Sequence, residues 1–373
     1  TGTVAASVIA IGLISLPAMM RYGYNMRLAT GVIAASGTIT QLIPPSLVLV
    51  VLADQLGRSV GDIYAGAMGP SLVQVLLFCL YVGLVSIFKP SWCPALPREA
   101  RSANMGTVLW RVAVGTLPSL ILIFLVLGTI FMGLATPTEA GALGAVGAMI
   151  LAAAKRRLAW PLLSQGMGTT MRITAMVIFI LIGANLFTLV FRGVNGDVWI
   201  EHLLTSLPGG VTGFLLFVNV LVFFLAFFLD FFEIAFIILP MITPIAQKML
   251  APIVGPDVAL IWFGVMLCVN MQTSFMHPPF GFALFYLRSV APKEPYADRL
   301  TGKMTEPVTT GQIYMGAIPF VIIQVIMVTL VILIPSMVMV YKTGEKQLTP
   351  QQLEEQLKNI APPKLDEPPP LKF

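Results

Sequence analysis

Ser36-Gly37-Thr38-Ile39-Thr40-Gln41-Leu42-Ile43-Pro44-Pro45-Ser46 and Asn270-Met271-Gln272-Thr273-Ser274-Phe275-Met276-His277-Pro278-Pro279-Phe280 are the two stretches on which the fold turns. Each sets small or polar residues ahead of a Pro-Pro pair and an apolar run behind it. Proline has no N–H and its ring clashes with the carbonyl four residues back. Pro44 and Pro45 therefore release the carbonyls of Thr40 and Gln41, and Pro278 and Pro279 those of Ser274 and Phe275. The residues before the pairs, Ile43 and His277, are pushed away from helical angles. Unpaired carbonyls within a bilayer are tolerated only inside protein or against a wet cavity, and a cation is a natural partner for them.

The likeness extends upstream. Thr3 to Pro17 spans 14 positions, as does Asp230 to Pro244. Both stretches are apolar, begin with polar residues and end in proline. Two such units, each a re-entrant hairpin followed by a broken helix, describe a secondary transporter with internal repeats.

Composition puts these units in a membrane. Of 373 residues, 57% are hydrophobic and 10% charged, with a mean hydropathy of +0.90. Soluble domains carry about 25% charged residues. A soluble enzyme, a nucleic-acid binder and a disordered chain are excluded on that ground. The net charge of +5 sits beside apolar runs, as in Lys155-Arg156-Arg157, where it anchors and orients a membrane protein. Cys79, Cys93 and Cys268 are too scattered for a disulfide framework or a CxxC metal site. The chain opens on Thr1-Gly2-Thr3 without a signal peptide or initiator Met, which reads as an N-terminal truncation.

Residues 113–132 and 211–229 read as membrane spans, as do 171–191 and 313–340. Residues 140–154 form a shorter one, in which Gly141, Gly144 and Gly147 allow close helix packing. Thr136-Pro137-Thr138-Glu139 before it is a capping box, with Glu139 as its third residue. The outer ends of 113–132 and 140–154 carry Lys89, Arg98, Arg101 and Arg111, and Lys155, Arg156, Arg157 and Arg172, against the single acid Glu99; that side is cytoplasmic. The chain divides into a first repeat (1–88), a cytoplasmic loop (89–112), central spans (113–210), a second repeat (211–341) and a polar, Pro-rich tail (342–373).

At these residues the chain resembles the large membrane subunit of tripartite ATP-independent periplasmic (TRAP) transporters, the DctM-like permeases. The likeness is carried by GLISLPAMMRYGYN (12–25), ASGTITQLIPPS (35–46), GLATPTEAGALGAVGA (133–148), FFLDFFEIAFIILPMITPIA (227–246) and NMQTSFMHPPFGFALFYLRSVAP (270–292). The resemblance implies an all-α polytopic membrane protein of the bacterial inner membrane. It implies an elevator-type carrier with inverted repeats, re-entrant hairpins and proline-broken helices, driven by sodium. It further implies a small DctQ-like membrane subunit and a periplasmic binding protein that delivers an organic acid. The form of the second break is similar to a branch associated with 2-oxo and 2-hydroxy monocarboxylates. The chain departs from the family in having less sequence before the first hairpin, His277 where Thr is common, and Thr40 where many members carry Gly.

On this resemblance one sodium site takes Thr38, Thr40, Ile43 and Pro45, with Thr3 nearby, and a second takes Gln272, Ser274, His277 and Pro279, with Asp230. Oxygen ligands of this kind suit a hard cation. The other reading of each break is a proline kink capped by hydroxyls. Asp230 and Glu233 are either intramembrane functional acids or a capping box. His277 either titrates or packs beside the kink, bonded to backbone. Ser36, Ser46, Asn270 and Thr273 are candidates for the anionic substrate, with Arg192, Arg288 and Arg299 as alternatives that snorkel equally well. No nucleophile–base pair, metal cluster or phosphate loop is apparent, so neither an enzyme nor an ATP-driven pump is expected, and no cofactor beyond Na+ as coupling ion. A channel or pore-forming scaffold is the competing reading.

Overall fold

The computed structural model describes residues 4–97, 105–278, 281–298, 302 and 304–339. Thr3, Pro279, Arg299, the basic residues Arg98 and Arg101 with Glu99, and the 342–373 tail lie outside them. Helices account for nearly all of the described structure, apart from a two-residue hairpin pairing β1 (Tyr296–Ala297) with β2 (Met304–Thr305). Eight helices, among the described residues, are long and apolar enough to cross a membrane.

The first unit opens with α1 (Val4–Arg21), which contains Pro17. Arg21 at its end pairs with the buried carboxylate of Asp298 at 3.0 Å. Asn25 then caps α2 (Met26–Thr38), its side-chain oxygen accepting the N–H groups of Arg27 and Leu28. A 3-10 turn (Ile39–Gln41) leads into the Pro44-Pro45 break, and α3 (Leu47–Gln55) resumes beyond it, capped by Ser46. The 29-residue α4 (Val60–Phe88) follows.

Three exposed helices come next: α5 (Met105–Phe131), α6 (Pro137–Ala154) and α7 (Trp160–Gly193). Two of them exceed the spans read from sequence, so that Arg111 and Arg172 lie within helices rather than at their ends. The capping box of α6 is formed, with Thr136 N–H donating to Glu139 Oε2 at 2.7 Å and Glu139 N–H to Thr136 Oγ1 at 3.4 Å. Gly144 and Gly147 of α6 face Val126 and Leu122 of α5, whereas Gly141 faces open space.

The span expected at 211–229 is shorter and bent. The helix α8 (Gly196–Thr205) meets α9 (Gly210–Leu225) at 119°, and α9 stops before a turn at 226–230. Asp230 stops it, because its side chain caps the next helix instead. That helix is α10 (Phe231–Glu233), a π turn (Ile234–Ile238) and α11 (Leu239–Val254), with Pro244 inside. The second broken helix comprises α12 (Pro256–Met271), a 3-10 turn (Gln272–Phe275) and α13 (Phe282–Val290). The last long helix, α14 (Thr310–Leu333), ends ahead of Pro335, short of the 313–340 span, and the single turn α15 (Ser336–Met339) follows. Proline at 335 cannot continue the helix.

Several neighbour relations recur when the two units are exchanged. Helix α1 packs on α2 as α11 packs on α12; α3 lies on α12 as α13 lies on α2; α14 crosses α2 as α4 crosses α12. The correspondence reaches single residues. A Cβ on Gly316 of α14 would strike the Arg27 carbonyl of α2, and one on Gly66 of α4 would meet Ile261 of α12 at 3.1 Å. Arg27 and Ile261 each stand 17 positions before the first proline of their break. Small residues let helix backbones approach where apolar burial alone does not drive association. The result is a tight interior with α12 at its centre, where every residue from Ala259 to Met271 is buried.

Candidate functional site

Both breaks share one local construction. A long helix tightens into a 3-10 turn, the Pro-Pro pair stops it, and a nine-residue helix restarts beyond. The Pro44–Pro45 peptide is cis. The two breaks meet in the interior: Thr38 Oγ1 lies 3.4 Å from Met276 Sδ, and the Cys268 thiol donates to the Gln41 carbonyl at 3.7 Å. Residues far apart in sequence thus line one buried region.

The hydroxyls in this region have already given up their protons. Thr38 donates to the Ala35 carbonyl at 3.0 Å, Thr40 to Gly37 at 2.7 Å, Thr273 to Asn270 at 2.7 Å and Ser274 to Met271 at 2.7 Å. Each bond runs three residues back along its own turn. A hydroxyl has one proton and two lone pairs, so these four oxygens remain only as acceptors. Of the carbonyls that the prolines release, Gln41 is not bare. The Ser46 hydroxyl donates to it while also accepting the Leu49 N–H at 3.5 Å as the cap of α3. Among the described residues no N–H donates to the carbonyls of Thr40, Ser274 or Phe275. The region is rich in acceptors and poor in donors, which suits a cation better than an anion.

The other residues read from sequence occupy defined places. Asp230 Oδ1 accepts the N–H groups of Phe232 and Glu233 at 2.8 and 3.2 Å, and Glu233 Oε2 accepts the Asp230 N–H at 3.1 Å, completing a capping box. Ile43 is partly exposed at the rim of its break, and Ser36 is half-buried on α2. Asn270 is committed to Asn219, donating to its backbone carbonyl at 2.8 Å and its Oδ1 at 3.0 Å. Arg288 donates to the Val308 carbonyl and so fastens a loop, while Arg192 is exposed at the end of α7. His277 packs beside the kink, with the Ala226 carbonyl against its ring. It stacks on Phe227 at 4.0 Å between ring centres, with Phe223 edge-on at 4.5 Å. Neither imidazole nitrogen has a well-formed hydrogen bond among the described residues, although the Ala226 carbonyl lies beside the ring.

A cavity of about 190 Å³ opens between the 226–230 turn and the second break, lined by Ala226, Phe227, Leu229, Ser274, Phe282 and Phe285 among others. Ser274 is the one sequence-read candidate in its wall. Two residues the sequence reading passed over complete the interior. Gln74 of α4 donates from Nε2 to Gln272 Oε1 at 2.7 Å, and Gln324 of α14 points Nε2 at Met276 Sδ at 3.6 Å. Both are fully buried. The signal for them was a third repeat, GAMGPSLVQV (66–75) against GAIPFVIIQV (316–325), with Gly-Ala and Gln-Val in the same register.

Residues 1–337 match the family described as the tripartite ATP-independent periplasmic transporter, DctM component. The chain is 28% identical over 340 residues to the C4-dicarboxylate TRAP transporter large permease protein DctM of Pseudomonas aeruginosa, covering 90% of this chain and 72% of that protein. It is 25% identical over 342 residues to the ectoine TRAP transporter large permease protein TeaC of Halomonas elongata, again covering 90% and 72%. It is 29% identical over 296 residues to the isethionate TRAP transporter permease protein DctMQ of Oleidesulfovibrio alaskensis, covering 78% of this chain and 44% of that one. These relatives are transporter subunits and not enzymes. With its multiple membrane-spanning helices and paired proline breaks, the chain belongs to the DctM family of TRAP transporter large permease subunits.

Proposed function

We propose that this permease carries an organic acid across the bacterial inner membrane by coupling its movement to sodium, with the cation bound where the two proline breaks meet. The observation that carries this reading is the set of spent hydroxyls. Thr38, Thr40 and Ser274 present oxygens without available protons beside the free carbonyls of Thr40, Ser274 and Phe275. A hard monovalent ion takes such ligands, whereas a carboxylate requires donors. Ile43, Pro45 and Thr3 belong to the first site on this reading, and Gln272, His277 and Pro279 to the second. Asp230 orients the turn through its cap. The acid has few donors open to it, chiefly the Gln272 Nε2 and the His277 ring, so its charge is balanced by the bound cation more than by protein.

The exchange of neighbours between the two units supports inverted repeats and a moving body built around them, in the manner of an elevator. The DctMQ name of one relative supports association with a small DctQ-like subunit, and the family description supports delivery by a periplasmic binding protein. The C4-dicarboxylate in another relative's name supports an organic acid as cargo.

Uptake of labelled acid into proteoliposomes that contain all three components, with sodium replaced by choline, tests the proposal. Saturable uptake that collapses in choline is expected. Unsaturated flux indifferent to sodium would instead favour a channel.

A further inference from the structure

Gln74 and Gln324 stand at equivalent places in the two units. Each follows its Gly-Ala pair by the same interval, Gly66 to Gln74 and Gly316 to Gln324. Their targets correspond as well. Gln74 reaches Gln272, six positions before Pro278, and the equivalent position before Pro44 is Thr38. Gln324 Nε2 and Thr38 Oγ1 converge on the same Met276 sulfur, at 3.6 and 3.4 Å. Gln74 thus reaches the break of the opposite unit, while Gln324 reaches Met276 in the break of its own unit, where Thr38 of the other unit also arrives.

Both amides are incompletely satisfied. Gln74 Oε1, Gln324 Oε1 and Gln272 Nε2 have no hydrogen-bond partner among the described residues, although all three side chains are fully buried. If the Gln74 and Gln272 amides are both turned over, one acceptor and one donor still lie outside their mutual bond. A buried polar group without a partner costs about 1–3 kcal/mol, and two at matched positions are not an accident of packing.

We propose that the amide oxygens of Gln74 and Gln324 are additional ligands of the bound cation, each reaching from the last span of its unit into the region where the two breaks meet. The inference rests on the cation-coupled reading above. An amide oxygen is a neutral hard donor of the kind such ions take alongside backbone carbonyls. It supplies what the Gln41 carbonyl, closed by Ser46, withholds. Through Gln74 it also ties occupancy of a break to the position of a helix from the other unit. A purely structural role, in which the amides only join helices, has no use for the unpaired oxygens.

The test is sodium titration of the full chain in detergent, following thermal stability in sodium against choline, together with uptake in proteoliposomes. Wild type is measured first, because a wild type insensitive to sodium overturns the cation reading itself and says so independently of either glutamine. Given a sodium response, Gln74→Leu and Gln324→Leu are each expected to raise the half-saturating sodium concentration about tenfold, the equivalent of one lost charge-assisted contact. Folded Leu variants with wild-type sodium affinity overturn the assignment, whatever happens to their maximal rate. Should a Leu variant fail to fold, Gln→Asn at the same position withdraws the oxygen by one methylene while keeping the amide. An unchanged affinity there overturns the assignment equally.

Discussion

On the proposed sodium reading, Ser274 and Thr38 are hydroxyls prepared for a cation. Each spends its proton on a carbonyl three residues back, at 2.7 and 3.0 Å, and is left an acceptor. Ser274→Ala and Thr38→Ala are therefore expected to raise the sodium concentration needed for half-maximal uptake about five- to tenfold, in line with about 1 kcal/mol for one such contact. The same substitutions cost little stability, since the Met271 and Ala35 carbonyls remain within helical turns. Unchanged sodium dependence in both would remove side-chain coordination from the mechanism. Asp230 gives the opposite expectation. Its Oδ1 holds two backbone N–H groups, and Asn caps as well as Asp. Asp230→Asn is expected to transport within about twofold of wild type, whereas Asp230→Ala loses about 1 kcal/mol of thermal stability. An Asp230→Asn protein that folds but takes up no acid would show that the charge, not the cap, matters. In sequence these alternatives stood level, because Asp followed three residues later by Glu has the same spelling in both cases. The distances show that the cap is formed.

Elements were unequally legible. The proline breaks, the capping box of α6 and the polar onset of the second unit were readable because local sterics and hydrogen bonding dictate them, with no tertiary contact required. The span at 211–229 was misjudged because hydropathy does not register a turn made of Ala226, Phe227, Phe228 and Leu229. Gln74 and Gln324 were passed over for a related reason. In α4 and α14 apolar residues occupy every face, so periodicity carries no statement of which face is buried, and a glutamine among a few scattered polar residues looks incidental. The crossing of α2 and α14 has the same character: glycine is uninformative until its neighbour is known. A Cβ on Gly31 would overlap the Gly316 carbonyl, and one on Gly316 the Arg27 carbonyl. Backbone cannot give way as a side chain can. Gly31→Ala is expected to cost about 1–3 kcal/mol through overpacking, seen as a lower melting temperature in detergent. Gly141→Ala on α6, whose Cβ meets nothing within 4 Å, is expected to remain within about 0.5 kcal/mol. Equal effects at the two glycines would mean that the α2–α14 crossing is looser than described.

At the scale of the whole molecule, burial is unevenly distributed, and the proposed elevator reading turns on that distribution. The broken helices are enclosed, with 94% of the best window in Pro256–Phe275 buried, whereas the corresponding windows in α5, α6 and α7 are each 6% buried. Helices α5 and α6 pack chiefly on each other, and α7 packs on α8 and, in the second unit, on α10 and the π turn. A body that holds its own contacts and shares few with a neighbouring frame can shift without breaking its core, which is the mechanical requirement of a carrier that moves its site across a bilayer. This leads to a measurement. Spin labels at Gly141 on exposed α6 and Ser289 on α13 report frame against body, while Asp54 on α3 and Ser289 report within the body, after Cys79, Cys93 and Cys268 are replaced by serine, which preserves the donor at Cys268. Sodium and substrate are expected to shift the first distance distribution by on the order of 5 Å or more, the scale of one element moving a helical turn past another. The second distribution is expected to stay fixed. If both remain still in every condition, the two breaks form a stationary site and the movement must lie in local gates. If both change together, the body is not rigid, and the shared interior of α2, α3, α12 and α13 cannot be carried as a unit.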